Sequence, residues 1–254
     1  MSSLKRARGV ALATIAFQAA APAAVEVLTA HFRVVSVLEP GSAEAAAGHL
    51  ETLHRRIENL GFQIRRPPSP RIEVILFSSP DQMLRYAPLD IQDDSNSAGF
   101  FTPGSDRMYL VVAWDGPGGP WIALSHEYAH RIFANQALPF WMSEGLAKYL
   151  SRVPIAARKP AQGLAEPPMP VPYFGKNLAG TPWLPWSESL SAKRDSTAAG
   201  HPNFRPQSRL LVHMLVSEGL DLTQPDSSKV QATLAAQSSG SIESRLQAAL
   251  EMPL

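Results

Sequence analysis

The sequence predicts an α+β fold, with a small mixed sheet in its first half and helices alone in its second half. Two observations lead to this prediction. Short β-branched runs alternate with helical patterns up to about residue 113, and only helical patterns recur beyond it. With 254 residues, 45% of them hydrophobic and 18% charged, the chain is also able to bury one good core. We therefore expect a single folded domain over residues 25–254.

The first half of that domain follows the order strand, helix, strand, helix, hairpin. "FRVVSVL" and "RIEVILF" are β-branched runs typical of strands, and apolar residues recur every three or four positions between them. The predicted elements are a strand at 32–38, a helix at 42–60, a strand at 71–77, a short helix at 80–86 and a hairpin at 97–113. Pro103 to Asp106 supply the turn of the hairpin.

Prolines divide the second half into helices and one long loop. Pro120, after the glycine pair of "DGPGGPW", is suited to the first turn of a helix that runs to about residue 135, and Pro139 separates it from the next helix. The predicted segments are α/β structure with this first helix pair at 25–151, a loop rich in proline and aromatic residues at 152–186, and a helical part at 187–254. Within that last part we expect helices at 207–218, 229–236 and 242–251.

The N-terminus has the three parts of a secretory signal peptide. Lys5, Arg6 and Arg8 precede an apolar stretch at 10–17, and small residues follow at 18–24. We expect residues 1–24 to be removed and the protein to be exported to a bacterial periplasm or secreted. The apolar stretch is short for a membrane span, so no stable span is expected after cleavage. An uncleaved anchor and an unstructured start are the alternatives.

Charge and cysteine content exclude several classes of function. The formal net charge is +1 and the basic residues form no stripe, which argues against a nucleic-acid partner. The chain has no cysteine, which excludes disulfides, thiolate metal sites and cysteine nucleophiles. The oligomeric state is left open.

"HEYAH" is the stretch that points to chemistry. His126 and His130 are four residues apart, so on a helix their imidazoles project from one face and can meet a single ion. Glu127 is rotated by about 100° from His126 and stands beside such an ion without binding it. This is the position of a general base that acts on a water activated by a metal.

A catalytic zinc site needs a third protein ligand. "PFWMSEGLAKYL" offers Glu144 on the following helix, and its neighbour Gly145 permits close helix packing. The sequence thus predicts zinc bound by His126, His130 and Glu144. The alternative is two ordinary surface histidines on one helix and a solvated glutamate on the next.

Taken together, "LSHEYAH" and "PFWMSEGLAKYL" resemble the gluzincin metallopeptidases, in particular the bacterial peptidase MA-like families. The resemblance implies a zincin-like fold, zinc as cofactor, and peptide or protein as substrate. It also implies that His126, His130 and Glu144 are the zinc ligands and that Glu127 is the catalytic base for peptide-bond hydrolysis. A protein that binds zinc and recognises peptides without cutting them, or an envelope scaffold, is the alternative function.

The chain departs from the resembled pattern in two places. Where a tyrosine that stabilises the oxyanion is expected, the sequence has Phe204 and Arg205, with His201 close by, and no residue is assigned to that role. Four residues after the third ligand, where some members have an aspartate that orients a histidine, this chain has Lys148. Another group is expected to orient the histidine.

Overall fold

A computed structural model describes residues 24–59, 61–62, 64, 71–88, 98–104, 107–116, 119–134, 136–151, 182–223 and 226–251. The strands are β1 Val25–Leu28, β2 Phe32–Ser36, β3 Ile72–Phe77, β4 Gly99–Pro103 and β5 Met108–Ala113. The helices are α1 Pro40–Asn59, α2 Pro80–Leu84, α3 Pro120–Phe133, α4 Phe140–Leu150, α5 Trp186–Ser191, α6 Phe204–Ser217, α7 Ser227–Ala235 and α8 Ser239–Glu251. The predicted signal peptide, apart from residue 24, and most of the predicted loop at 152–186 lie outside the described residues.

The five strands form one mixed sheet in the order β1-β2-β3-β5-β4. The three central strands are parallel, with Val34 opposite Val74 and Val74 opposite Leu110. The two edge strands β1 and β4 are antiparallel to their neighbours. The prediction of an α+β fold with a small mixed sheet is therefore confirmed. Strand β4, the first strand of the hairpin, forms the edge of the sheet next to β5.

Helices α1 and α3 cover one face of this sheet. Helix α1 connects the parallel strands β2 and β3, as a crossover helix does. Its apolar residues recur at helical spacing and are buried against the sheet, as expected for an amphipathic helix. The main core contains Phe32, Val74 and Leu110 from the sheet and Leu50 and Leu124 from the helices.

The opposite face of the sheet is covered more lightly. Helix α2 contributes Met83 to a small apolar cluster with Phe77 and Phe100. Beside it, the buried carboxylate of Glu73 accepts hydrogen bonds from Arg33 on β2 and from Arg107. A buried charge needs such partners, so the two arginines compensate the charge of Glu73.

The helical part packs around α4, which lies between α3 and α6. A methyl group added at Gly145 would stand 2.5 Å from the carbonyl oxygen of Ser208 on α6, closer than atoms can approach. The absence of a side chain at Gly145 is therefore what allows α4 and α6 to pack so closely. In the part of the chain that the structure describes, no helix is long and apolar enough to cross a membrane.

Four elements are missed by the sequence prediction or begin three residues before their predicted start. One of them is helix α8, which begins at Ser239 and not at residue 242. Strand β1 was not expected, because four residues with alternating exposure give too short a pattern to recognise. Helix α5 was not expected either, because six residues are too few to show a helical period. Its buried residues are Trp186, Ser189 and Leu190. Helix α6 begins at Phe204 and not at residue 207, because Pro206 is tolerated in a first helical turn.

Candidate metal centre

Helix α3 begins as its sequence predicts. Gly119 has a φ of 80°, a conformation that side chains disfavour, and Pro120 occupies the first turn. From there the helix runs regularly to Phe133, so His126 and His130 lie on one face, with ring centroids 4.7 Å apart. Helix α4 begins after Pro139, and its residue Glu144 contacts His130 on that face of α3.

The three predicted ligands converge on one point. The Nε2 atoms of His126 and His130 are 3.2 Å apart. The carboxylate of Glu144 reaches both rings, with Oε1 3.4 Å from the Nε2 atom of His130 and Oε2 3.7 Å from that of His126. The side chains are 11%, 15% and 5% exposed for His126, His130 and Glu144. One potential ligand atom from each residue lies within 4.8 Å of the other two, so this buried cluster could bind a metal ion.

These distances fit a tetrahedral ion. Two ligand atoms that each lie about 2.0–2.1 Å from a tetrahedral zinc are about 3.3 Å from each other. The two Nε2 atoms are 3.2 Å apart, and each lies 3.4 or 3.7 Å from a different carboxylate oxygen of Glu144, which is close to that separation. Two imidazoles and one carboxylate also form a donor set that zinc accepts in catalytic sites, with a fourth position left for water. The residues present therefore fit the zinc ion that the sequence predicts.

Protonation of two of the three ligands is already suited to a metal. Burial holds the pKa of His126 well below its usual value, so its ring is neutral. Burial raises the pKa of Glu144, but the hydrogen bond with His130 and the nearby positive charges outweigh it and hold the pKa far below the usual range. Burial lowers the pKa of His130, and its hydrogen bond with Glu144 outweighs this and raises the pKa. An arriving cation would displace the proton of His130.

Two neighbouring side chains contact the predicted ligands. The Ser143 hydroxyl lies 3.3 Å from Nδ1 of His130, the ring nitrogen that faces away from the other ligands. Arg205, at the start of α6, donates from Nε to Oε2 of Glu144 at 3.1 Å. Lys148, at the position of the expected aspartate, lines the cleft described below. From the sequence, a group other than Lys148 is expected to orient one of the histidines, and Ser143 is in position to do so for His130.

Glu127 lies beside the cluster and is not part of it. Its side chain packs against β4, where a methyl group added at Gly99 would be 3.3 Å from Cγ of Glu127. Gly99 therefore leaves the space in which Glu127 stands. Burial raises the pKa of Glu127, which makes its carboxylate a stronger base than one in water.

The other face of α3 anchors the helix to α1. Tyr128, within the motif, is completely buried, and its hydroxyl contacts Nδ1 of His54. Ser125 is 2.8 Å from Nε2 of His49, a second contact with α1. These residues hold the helix in position and lie outside the cleft.

The side chains of His126, His130 and Glu144 line a cleft of about 860 Å³. The edge strand β4 lines it with Gly99 to Phe101, next to Ala98, and α3 lines it with both histidines and Glu127. The polar and basic residues Lys148, Arg194, His201 and Arg205 line it as well.

The structure thus brings His126, Glu127, His130 and Glu144 together, as the sequence predicts. Sequence reasoning considered Arg205 and His201 without giving them a role, and it missed Ser143 and Arg194. Ser143 directly precedes the proposed ligand Glu144, and this position could have indicated a residue close to the metal site. Arg194 carries no such signal, because it lies about fifty residues further along the chain in a segment without periodicity.

Comparison with known proteins adds no family assignment: no model of a protein family matches the chain, and no curated protein matches it.

Proposed function

We propose that the protein is a zinc-dependent peptidase of the gluzincin type. One observation carries the proposal: the ligand atoms of His126, His130 and Glu144 converge within 4.8 Å, and Glu127 faces the same cleft. Buried groups that ionise or coordinate, gathered in a large cleft, are typical of active sites. The similarity of the two motifs to the gluzincin pattern supports the same function.

Each of the four residues has a role in this chemistry. A zinc ion held by the two histidines and Glu144 supplies Lewis acidity, which activates water and polarises a carbonyl. Glu127 takes a proton from the attacking water, and its raised pKa favours that transfer. Glu127 then gives the proton to the nitrogen of the departing amine. Ser143 and Arg205 hold His130 and Glu144 in place during the reaction.

Strand β4 supports a peptide as the substrate. Among the described strands, β4 is paired with β5 and lies at the edge of the sheet, and it lines the cleft together with Glu127. An extended peptide can add to such an edge through main-chain hydrogen bonds. That arrangement would place a substrate carbonyl in the cleft that also contains His126, His130 and Glu144.

His201 is our candidate for the group that stabilises the oxyanion. His201 lines the cleft, and its Nδ1 accepts a hydrogen bond of 3.2 Å from the backbone N–H of Asn203. Since Nδ1 is an acceptor, the proton of the neutral ring is on Nε2. His201 thus has a fixed donor available to a developing negative charge.

The first experiment is elemental analysis of the purified chain beside His130→Ala. About one zinc per chain in the wild type, lost in the variant, is the expected result.

A peptide library is then incubated with the wild type and with Glu127→Gln, and products are read by mass spectrometry. Hydrolysis by the wild type alone, with zinc retained in Glu127→Gln, supports the peptidase. A chain that takes up no zinc on titration overturns it, and zinc without hydrolysis favours a binding protein.

A further inference from the structure

His201 is the first residue of a tight turn that leads into helix α6. The turn is "HPNF", His201 to Phe204, and the N–H of Phe204 donates to the carbonyl of His201 at 2.9 Å. Pro202 is at the second position, where proline is favoured, and Asn203 at the third has φ −88° and ψ −7°, as in a type I turn. Because proline fixes one of its φ angles, this turn has little freedom to change shape.

The same turn holds the ring of His201. The backbone N–H of Asn203 donates to Nδ1 of that ring at 3.2 Å. A side-chain acceptor that bonds the N–H two residues further along is the arrangement by which aspartate and asparagine close Asx turns. Here an imidazole takes that position, so its orientation depends on where the backbone of Asn203 lies.

The side chain of Asn203 differs in its use from that of an ordinary residue at a helix start. Asparagine is preferred there because its side-chain oxygen accepts from N–H groups of the first turn. Along the described residues of α6, Asn203 makes no such capping bond. Its Nδ2 instead donates to the carbonyl oxygen of Pro182 at 2.8 Å, and the residue is completely buried. The side chain therefore anchors the turn to the segment before α5.

The segment that receives this bond is itself fixed to α6. The side-chain amide of Gln207 accepts from the N–H of Leu184 and donates to its carbonyl, both at 2.9 Å. Gln207 is completely buried, and it lies four residues after Asn203, on the same side of the helix start. Pro182 is thus part of a segment that buried hydrogen bonds hold in place.

We propose that Asn203 is a positioning residue for His201. Its side chain fixes the turn on Pro182, and its backbone N–H then holds the imidazole with Nδ1 as acceptor and the proton on Nε2. Which nitrogen of a neutral histidine carries the proton is set by the hydrogen bond that the other nitrogen makes. The inference rests on the proposed function, in which the N–H of Nε2 serves the oxyanion.

The first test reads the tautomer of His201 and does not depend on turnover. The zinc-loaded chain is labelled with ¹⁵N-histidine, and proton–nitrogen correlation spectra are recorded where histidine is neutral; His201→Ala identifies the signals of the ring. The wild type should show a single tautomer with its proton on Nε2. Asn203→Ser should show both tautomers, because serine starts a helix as well as asparagine does but is too short to keep the bond to Pro182.

The second test compares turnover of a library peptide that the wild type cleaves. Asn203→Ser should lower kcat by about ten- to a hundredfold while KM and zinc content stay close to the wild type, since a small displacement of a reacting group costs this much. In the His201→Ala background the same substitution should have no further effect. Ser208→Ala is the matched control: its buried hydroxyl bonds Phe204 O within α6 and should leave tautomer and kcat unchanged.

An unchanged single tautomer in Asn203→Ser, or a wild-type ring with its proton on Nδ1, overturns the inference. So does an equal loss of kcat in the wild-type and His201→Ala backgrounds, which would make Asn203 a structural residue alone. Failure of the proposed function gives a different result. In that case the wild type leaves the library intact, while the tautomer still changes in Asn203→Ser, and Asn203 remains the residue that orients His201.

Discussion

Single hydrogen bonds decide how the ligand side chains are held. Ser143 contacts the outer ring nitrogen of His130, and Arg205 donates to the carboxylate of Glu144. Fixing a ligand in this way before the ion arrives lowers the entropy lost on binding. These residues should affect metal affinity and rate more than folding.

Replacing Ser143 by alanine is expected to weaken zinc binding by about tenfold. The contact to Nδ1 of His130 is long, so the effect should fall at the lower end of the range for such partners. Competition with a chromogenic chelator measures the affinity. Ser151→Ala is the control: its hydroxyl bonds Lys148 O near the end of the same helix and should leave affinity unchanged. Equal affinities for the wild type and Ser143→Ala would show that His130 needs no such support.

His201→Ala should lower kcat by about 10²–10³-fold while zinc content and KM stay close to the wild type. The reason is that a donor for the oxyanion acts in the transition state and not on the bound substrate. Steady-state kinetics on a cleaved library peptide, with metal analysis of the same sample, measures both quantities. An unchanged kcat would remove His201 from the mechanism.

At the scale of helices and strands, the site depends on how closely α4 packs on α6 and how α3 is fixed to α1. Gly145 controls the first contact, and the pair of His49 with Ser125 contributes to the second. Both lie directly beside ligand residues. Substitutions of Gly145 and His49 therefore test whether these helix contacts stabilise the fold around the site.

Gly145→Ala should lower the free energy of unfolding by about 1–3 kcal/mol, because the new methyl group meets backbone atoms of Ser208. Gly48→Ala is the matched control in α1. No atom lies within 4 Å of a methyl group there, so alanine should raise stability by about 0.5–1 kcal/mol through helix propensity. Urea denaturation measures both. A Gly145→Ala chain as stable as the wild type would mean that α6 can shift without loss.

His49 should make the fold less stable in mild acid. Burial lowers the pKa of its ring from the ordinary 6.5 to about 4. Between these values the unfolded chain binds a proton that the folded chain does not, so stability falls as pH drops through that window and levels off below it. The loss is about 1–2 kcal/mol once solvent screening of the partly exposed ring is allowed for. His49→Gln should show a shallower fall than the wild type in urea titrations from pH 7 to 4; parallel curves would contradict the assignment.

At this scale the sequence was informative where patterns are local. The spacing within "HEYAH", together with Pro120 and Pro139, predicts the two helices of the site and places His126 and His130 on one face. Glu144, on the second helix, was predicted because a zinc site needs a third ligand. Strand β1 and helix α5 were missed because four and six residues carry too little periodicity. Arg194 was missed for another reason: it reaches the cleft through tertiary packing, which no local sequence pattern predicts.

For the whole molecule, the candidate centre joins the helix pair α3 and α4 to α6, which contributes Arg205. Glu144 keeps ionic partners even before a metal binds, because Arg205 and His130 both contact its carboxylate. A buried carboxylate with such partners is not left uncompensated. The metal-free chain is therefore expected to fold, and zinc should add stability to an existing fold.

Zinc should thus raise the melting temperature of an already folded chain. A free zinc concentration of a hundred times Kd adds about 2.7 kcal/mol, which corresponds to about 5–10 °C for a chain of this size. Near-ultraviolet circular dichroism of the EDTA-treated chain should show a cooperative transition at the lower temperature, and zinc should shift it upward. His130→Ala should melt cooperatively without any shift, because one of three ligands is missing. Loss of the cooperative transition after EDTA treatment would instead make the metal part of the fold, and Arg205 would then be insufficient to stabilise Glu144.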